Sequence, residues 1–465
     1  MKRRKFIHQA SCAAVGSTTF FSTLLNLKAA NAASIANSTV QQANDYKALV
    51  CILLQGGNDS FNMLMPRSGQ PYQDYRRTRS NNAIDNQTML PLSTKTFNGV
   101  DLGLHPSLSN LKRMYDEDKV AFLTNIGTLV EPTSPDDFFL ESVQLPLGLL
   151  SHSDQIQHWQ TAFPQDRSAL GWGGKMSDLI MDMNNNKSIS MNISMDGSNV
   201  FQTGKNSIAY SVNPDEGPLG IEGYGADDFF NRIRTTAIND LLDQTYSDVF
   251  EKTYIDVIKN SRDTFVQFSD ALASVQPDGI SYPEDEWQVG QGFNMIKNTI
   301  AARNILDVQR QTFFINFEGW DHHDEVLNAQ TTQFGALDRA LDSFQKSLAE
   351  MGLEENVTTF VISDFARGLT SNGNGTDHAW GGNVFAIGGA VKGGDIYGNY
   401  PNINLNDPRD LGGGIFIPEI SADEYFAELA LWFGVSPTDL PLILPNIGNF
   451  YDINSGQSPL GFLNS

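Results

Sequence analysis

Cysteine is nearly missing from this chain: two occur in 465 residues, Cys12 and Cys51. Cys12 falls in a stretch that reads as a removable leader, so no intramolecular disulfide is expected even in an oxidising compartment. Cys51 sits in an apolar run and reads as a buried filler. Positive charge is also scarce, with 31 Lys and Arg against 54 Asp and Glu and a formal net charge of −23. That balance repels nucleic acid and anionic lipid as bulk partners, while leaving room for a local pocket that holds one small anion. Long hydrophobic runs are absent too. The apolar stretch at residues 13–27 is short, rich in Ser and Thr, and followed by no stop-transfer pattern, so no stable membrane insertion is expected.

What stands before that stretch is Lys2-Arg3-Arg4-Lys5-Phe6-Ile7, and what closes it is Ala30-Asn31-Ala32. Residues 1–32 therefore read as a twin-arginine signal peptide, and the protein is expected in the periplasm or outside the cell. Cleavage near Ala32 takes away Lys2, Arg3, Arg4, Lys5 and Lys28 and no acid, moving the charge from −23 to −28. Residues 33–46 are polar and without apolar period, a linker. Residues 47–465 are expected to form one α/β domain with a helical insertion at about 205–290, and no internal repeat is visible.

Short β-branched and apolar runs mark the strands of a buried parallel sheet: residues 48–54, 119–124, 312–317 and 357–363, with 188–194 and 383–390 in addition. Between the third and fourth lies a helical period, with Phe334, Leu337, Leu341, Phe344 and Leu348 on one face. Strand, helix and strand in that order predict a parallel crossover. A further helix is expected over residues 107–116, another from 291 to 308 and another from 422 to 433. Residues 66–100, with Arg76, Arg77 and Arg79, read as an irregular excursion, and Gly171-Trp172-Gly173-Gly174 as a tight turn.

The polar residues gather where these strands stop. The first runs into Gln55-Gly56-Gly57-Asn58-Asp59, the third into Glu318-Gly319-Trp320-Asp321-His322-His323-Asp324, and the fourth ends on Asp364. A loop rich in Gly and Asn then presents Asp377 beside His378. Open α/β sheets bind ligands at this edge. Only seven histidines occur, one of them in the leader, so their placement among carboxylates is informative. Asp59, Asp321, His323, Asp364, Asp377 and His378 together offer the mixed carboxylate and imidazole set that divalent metals such as Zn²⁺, Mn²⁺ or Ca²⁺ take, as one ion or two. Ser151 and Asp154 fit a helix capping box, so Ser151 reads first as an N-cap. A hydroxyl at a helix N-terminus is also favoured as an alkoxide by the dipole.

The segments LLQGGNDSFN, LHPSLSNLKRMYDEDKVAFLTNIG, SHSDQIQHWQT, GWDHHD, SDFARG and NGTDHAWGGNVFAIGGAVKGG resemble a family of twin-arginine-exported bacterial proteins, a domain of unknown function distantly related to the alkaline phosphatase and sulfatase superfamily. The resemblance covers about residues 47–450. It implies a doubly wound, mostly parallel sheet with helices on both faces, and metal-dependent hydrolysis of small phosphate or sulfate esters. It implies Asp59, Asp321, His323, Asp364 and His378 as metal ligands and Ser151 as nucleophile. Asp377 is a candidate substitute ligand. His152 or His323 would be ligand or acid/base, and Arg367 a clamp on a non-bridging oxygen. The sequence departs from the superfamily at Phe365, where the strand-end Asp is usually followed by His. Three outcomes stay open: Asp377 and His378 substitute, one metal binds instead of two, or the fold serves as a non-catalytic binding or assembly protein.

Overall fold

β1 (Lys47–Leu54) is apolar at every position after the first because both of its faces are covered. Ala48, Val50, Ile52 and Leu54 belong to one hydrophobic core, and Leu49, Cys51 and Leu53 to another on the opposite face. Cys51 is fully buried, and burial drives its thiol pKa well up. This computed structural model describes residues 45–95 and 99–464. The expected signal peptide and all but the end of the expected linker lie outside the described residues.

After β1 come α1 (Gly69–Arg79), α2 (Ser109–Asp116), β2 (Val120–Gly127), α3 (His152–Thr161) and α4 (Trp172–Ile180). The middle of the chain holds β3 (Asn192–Ser194), β4 (Tyr210–Asn213), β5 (Gly217–Pro218), α5 (Phe229–Leu242), α6 (Val249–Ala273) and α7 (Val289–Ala301). Then follow β6 (Arg310–Phe317), α8 (Val326–Glu350), β7 (Val357–Ser363), β8 (Arg367–Ser371), β9 (Thr376–His378), β10 (Gly382–Ile387), β11 (Asp395–Tyr397), β12 (Ile420–Ser421) and α9 (Ala422–Phe433). Among the described residues ten strands form the main sheet in the order β11-β2-β10-β7-β1-β6-β3-β4-β5, with β12 beside β2. β1 runs parallel to both β6 and β7, β6 to β3 and β3 to β4. β10 alone reverses in the centre, antiparallel to both neighbours. The sheet is thus doubly wound and mostly parallel, with α2, α7 and α8 supplying core residues on one face and α3, α4 and α9 on the other.

Register sets the site. Leu54 pairs with both Ser363 and Phe317, so the loops after β1, β6 and β7 leave the sheet at one level.

Three local expectations are corrected. Residues 69–79 form α1, whose inward face is Tyr72, Tyr75 and Arg79; aromatic hydroxyls and a paired guanidinium fill a core face that an apolar period does not reveal. Gly171-Trp172-Gly173-Gly174 is a helix start, not a turn. Gly173 and Gly174 lie so close to Phe201 and Thr203 that a Cβ would meet them at 2.4 and 2.1 Å, and the glycines serve packing. The strand expected over 188–194 shrinks to β3. Upstream of it Ser190 Oγ donates to Ile208 O and accepts from Asn192 N, side-chain bonds that replace the ladder.

In α9, Ser421 and Glu424 close a capping box, and burial pushes the Glu424 carboxyl up to about 7 from an ordinary 4.5. With the folded pKa above the unfolded one, this group's contribution to stability is complete below about 4.5 and is lost as pH rises through about 7. Glu424→Gln keeps the cap. Urea unfolding at pH 5 and pH 8 is expected to show a smaller loss in that variant than in the wild type; equal losses in both would assign the pH dependence elsewhere.

Candidate metal centre

The loop after β1 turns on Gly56 and Gly57, both at positive φ (121° and 86°). A Cβ on Gly56 would meet Asp321 N at 2.4 Å, and one on Gly57 the Phe365 ring at 2.5 Å, so only glycine lets this backbone pass beneath the other two loops. Gly56→Ala is expected to cost about 2–3 kcal/mol through strain and displacement of Trp320 and Asp321. Gly448→Ala, where an added methyl meets nothing within 4 Å, should stay within about 0.5 kcal/mol. Equal costs in chemical denaturation would show that the close approach does not matter.

The loop expected after Asp364 is a hairpin instead. β8 and β9 pair antiparallel, with Arg367 opposite His378, and the Asn and Gly run of residues 372–375 makes the turn. The hairpin swings His378 over the strand ends, where it meets three other side chains. His378 Nε2 lies 3.1 Å from His152 Nε2 and 3.0 Å from His323 Nε2. Asp321 Oδ1 is 3.0 Å from His323 Nε2 and 3.6 Å from His378 Nε2, and its Oδ2 is 3.5 Å from His152 Nε2. His152, Asp321 and His378 have ligand atoms that all lie within 4.8 Å of one another.

What holds the rings fixes their tautomers. His152 Nδ1 is 2.7 Å from Asp364 Oδ2, and Asp364 is fully buried and also accepts from Gly56 N. His378 Nδ1 is 2.8 Å from Leu150 O. A carboxylate and a carbonyl only accept, so both rings carry their proton on Nδ1 and aim an Nε2 lone pair at each other. Lone pairs at this separation repel unless a proton or a metal cation lies between them. The Asp364 hydrogen bond raises the His152 pKa, whereas burial lowers that of His378. Burial works upward on Asp321 but is outweighed by the hydrogen bond and charge of Arg367, with His152 and His323 adding to it, so this carboxyl sits below its usual range.

The remaining candidates stand apart from the converging atoms. Asp59 is fully buried and its Oδ2 is ion-paired with Arg79, itself fully buried, while its Oδ1 is buried without a hydrogen-bond partner. Asp364 supports His152 from behind. Asp377 is exposed, with Oδ1 3.4 Å from His323 Nδ1, and accepts from Asn372. Arg367 is not free to clamp a substrate oxygen. It is fully buried and donates to Gly57 O, Thr376 O, Gly56 O and Asp321 Oδ1. Ser151 is the N-cap of α3 but makes no side-chain cap bond to the helix backbone. Its hydroxyl meets Ser153 Oγ at 3.2 Å, and Asp154 pairs with Arg167 at 2.8 Å, so the expected capping box is not formed. Phe365 packs on the rings of His152 and His378, at centroid distances of 4.7 and 4.5 Å.

Two contributors were missed from sequence. The Leu150 carbonyl is a backbone atom, and no residue type announces it; Leu150 adopts a left-handed φ of 69°. Arg79 was visible only as one of three undecided arginines, and its spacing of four and seven from Tyr75 and Tyr72 was the signal that it faces inward.

Residues 228–416 match the sequence pattern of a family described as "Protein of unknown function (DUF1501)". No curated protein matches the chain. Among solved structures it is similar to a sulfatase from Pseudoalteromonas sp. (11% identity, 86% of this chain and 72% of that one covered, TM-score 0.30). It is also similar to a phosphonate monoester hydrolase from Silicibacter pomeroyi (8% identity, 87% and 77% covered, TM-score 0.34). A third is a lipoteichoic acid synthase from Listeria monocytogenes (8% identity, 82% and 78% covered, TM-score 0.30).

Proposed function

We propose that His152, Asp321, His323 and His378 hold one divalent metal ion and that the chain is an exported, metal-dependent hydrolase of small phosphate or sulfate esters. The observation that carries the metal is the facing pair of Nε2 lone pairs on His152 and His378, 3.1 Å apart, each ring oriented from behind by an acceptor. A buried carboxylate or a backbone carbonyl behind a ligating imidazole is the usual support of a metal-bound histidine. Three imidazoles and a carboxylate suit Zn²⁺ or Mn²⁺ better than Ca²⁺, which prefers oxygen. A divalent ion there supplies Lewis acidity toward an ester oxygen and lowers the pKa of water.

The chain's own residues supply the rest. Arg367 holds Asp321 in place and offsets its charge, and the exposed Asp377 lies 3.4 Å from His323 Nδ1. Ser151, at the N-terminus of the ten-residue helix α3 and adjacent to His152, is the candidate nucleophile, where bare N–H groups favour an anionic ester. Export rests on residues 1–32, and no helix among the described residues is long and apolar enough to cross a membrane.

The test is turnover of p-nitrophenyl phosphate and p-nitrophenyl sulfate with added Zn²⁺, Mn²⁺ or Ca²⁺. Activity that disappears in Asp321→Asn and in Ser151→Ala, with folding intact, is the expected result. One observation favours a second reading, an exported binding or assembly protein that keeps the metal for stability: Arg367, the cation nearest the cluster, has its donors taken by carbonyls and Asp321. A metal-loaded protein inert toward both esters would select that reading.

A further inference from the structure

Helix α5 has 14 residues, and Leu242 is its one buried side chain. Phe229, Phe230, Ile233 and Leu241 are 64, 78, 54 and 51% exposed. Their spacing puts them on one side of the helix together with the exposed Thr236 and Ala237. The first turns of α6 continue the pattern, with Val249, Phe250 and Tyr254 at 74, 86 and 66%. Scattered apolar side chains at a surface are ordinary, but seven in two consecutive helices are not. Together they present on the order of 800–1,000 Å² of apolar surface, about half of it on α5, against the ~800 Å² that one partner contributes to a standard stable interface.

We infer that a second copy of this chain covers this face, through a two-fold antiparallel pairing of α5 with its equivalent. The distribution of charge along α5 argues for it. Asp227 and Asp228 open the helix, Arg232 and Arg234 follow in its first half, and Asp240 and Asp243 stand at its end; Arg234 already donates to Glu222 O, which leaves Arg232 as the cation available to a partner. A two-fold axis makes a patch meet itself reversed, which brings Arg232 of each copy near Asp240 of the other. The same reversal, centred near Thr235, sets Phe229 against Leu241, two large apolar side chains, and Ile233 against Ala237, a large one over a small one. Arg232 is 63% exposed, and its contact with Asp227 is loose at 3.7 Å, so it can turn toward Asp240 of the second copy. A lipid surface fits poorly. Asp240, Asp243, Asp248, Glu251 and Asp256 lie among the apolar positions, where an anionic lipid surface would repel them.

Sedimentation equilibrium of the full chain at ~10 µM is expected to give a dimer. Ile233→Asp is expected to give a monomer whose unfolding is unchanged within about 0.5 kcal/mol, as for other exposed sites. Arg232→Asp and Asp240→Arg should each weaken the dimer by about tenfold or more, and the two together should restore it. A monomeric wild type would overturn the inference, as would a dimer that survives Ile233→Asp. Flotation of a monomeric wild type with phosphatidylserine vesicles would overturn it in favour of lipid.

Discussion

Arg79→Met is expected to destabilise the protein by about 3–5 kcal/mol, because it strands a buried charge. Arg79 and Asp59 are both fully buried, and the guanidinium also donates to Gly368 O at 3.1 Å and Leu369 O at 3.4 Å. The side chain therefore ties α1 to the loop after β1 and to the β8–β9 hairpin that carries His378. Without it Asp59 keeps Thr376 Oγ1 at 3.2 Å but no positive partner. A loss of this size is a large share of the 5–15 kcal/mol that holds a typical domain folded. Urea denaturation of Arg79→Met, Asp59→Asn and the double variant measures it. The double variant should lose much less than the sum of the singles, since it leaves no unpaired charge. Additive losses, or a cost under about 1 kcal/mol for Arg79→Met, would mean that the pair is solvated and that Asp59 is open to another partner.

The second large effect concerns metal affinity. His378→Ala removes the imidazole that lies 3.1 Å from one neighbouring Nε2 and 3.0 Å from the other, and affinity for Zn²⁺ or Mn²⁺ should fall by more than ~100-fold. Asp364→Asn leaves all four donors in place and disturbs only the support of His152, so ~10- to 100-fold is expected. Asp377→Asn, at an exposed carboxylate 3.4 Å from His323, should change little. Competition with a metallochromic dye reads all three. The ordering carries the argument: a larger loss from Asp377→Asn than from His378→Ala would place the donors differently.

Much of this centre could be seen in the sequence. Asp321, His323 and His378 stood out because histidine is rare and these residues lie beyond apolar runs that become β6 and β7. The register of β1 with β6 and β7 follows from runs of similar length, so a common sheet edge was legible too. The limits have physical causes. Asp59 and Asp364 are strand-end carboxylates of the same kind in sequence, and only the tertiary partner separates them: Arg79 neutralises the first, while His152 takes the second. Arg367 looked like a free cation because a sequence cannot show that carbonyls 310 and 311 residues away saturate it. The hairpin was hidden because its strands are short and polar, and the pairing of Arg367 with His378 depends on a bulged register. Phe365, noted as a departure from the superfamily pattern, proves to lie against both His152 and His378.

These positions are the basis on which a centre for one ion is proposed. A second ion would need Asp59, held by Arg79, and a ligand where Phe365 stands. Elemental analysis of the full chain purified from its export compartment, without chelator or affinity metal, tests this most directly. One divalent ion per chain in the wild type, and none in an Asp321→Ala/His378→Ala double variant that still folds, is the result expected. Two ions per chain would contradict the single-metal centre, and no ion, with no thermal shift on adding Zn²⁺ or Mn²⁺, would contradict the metal altogether.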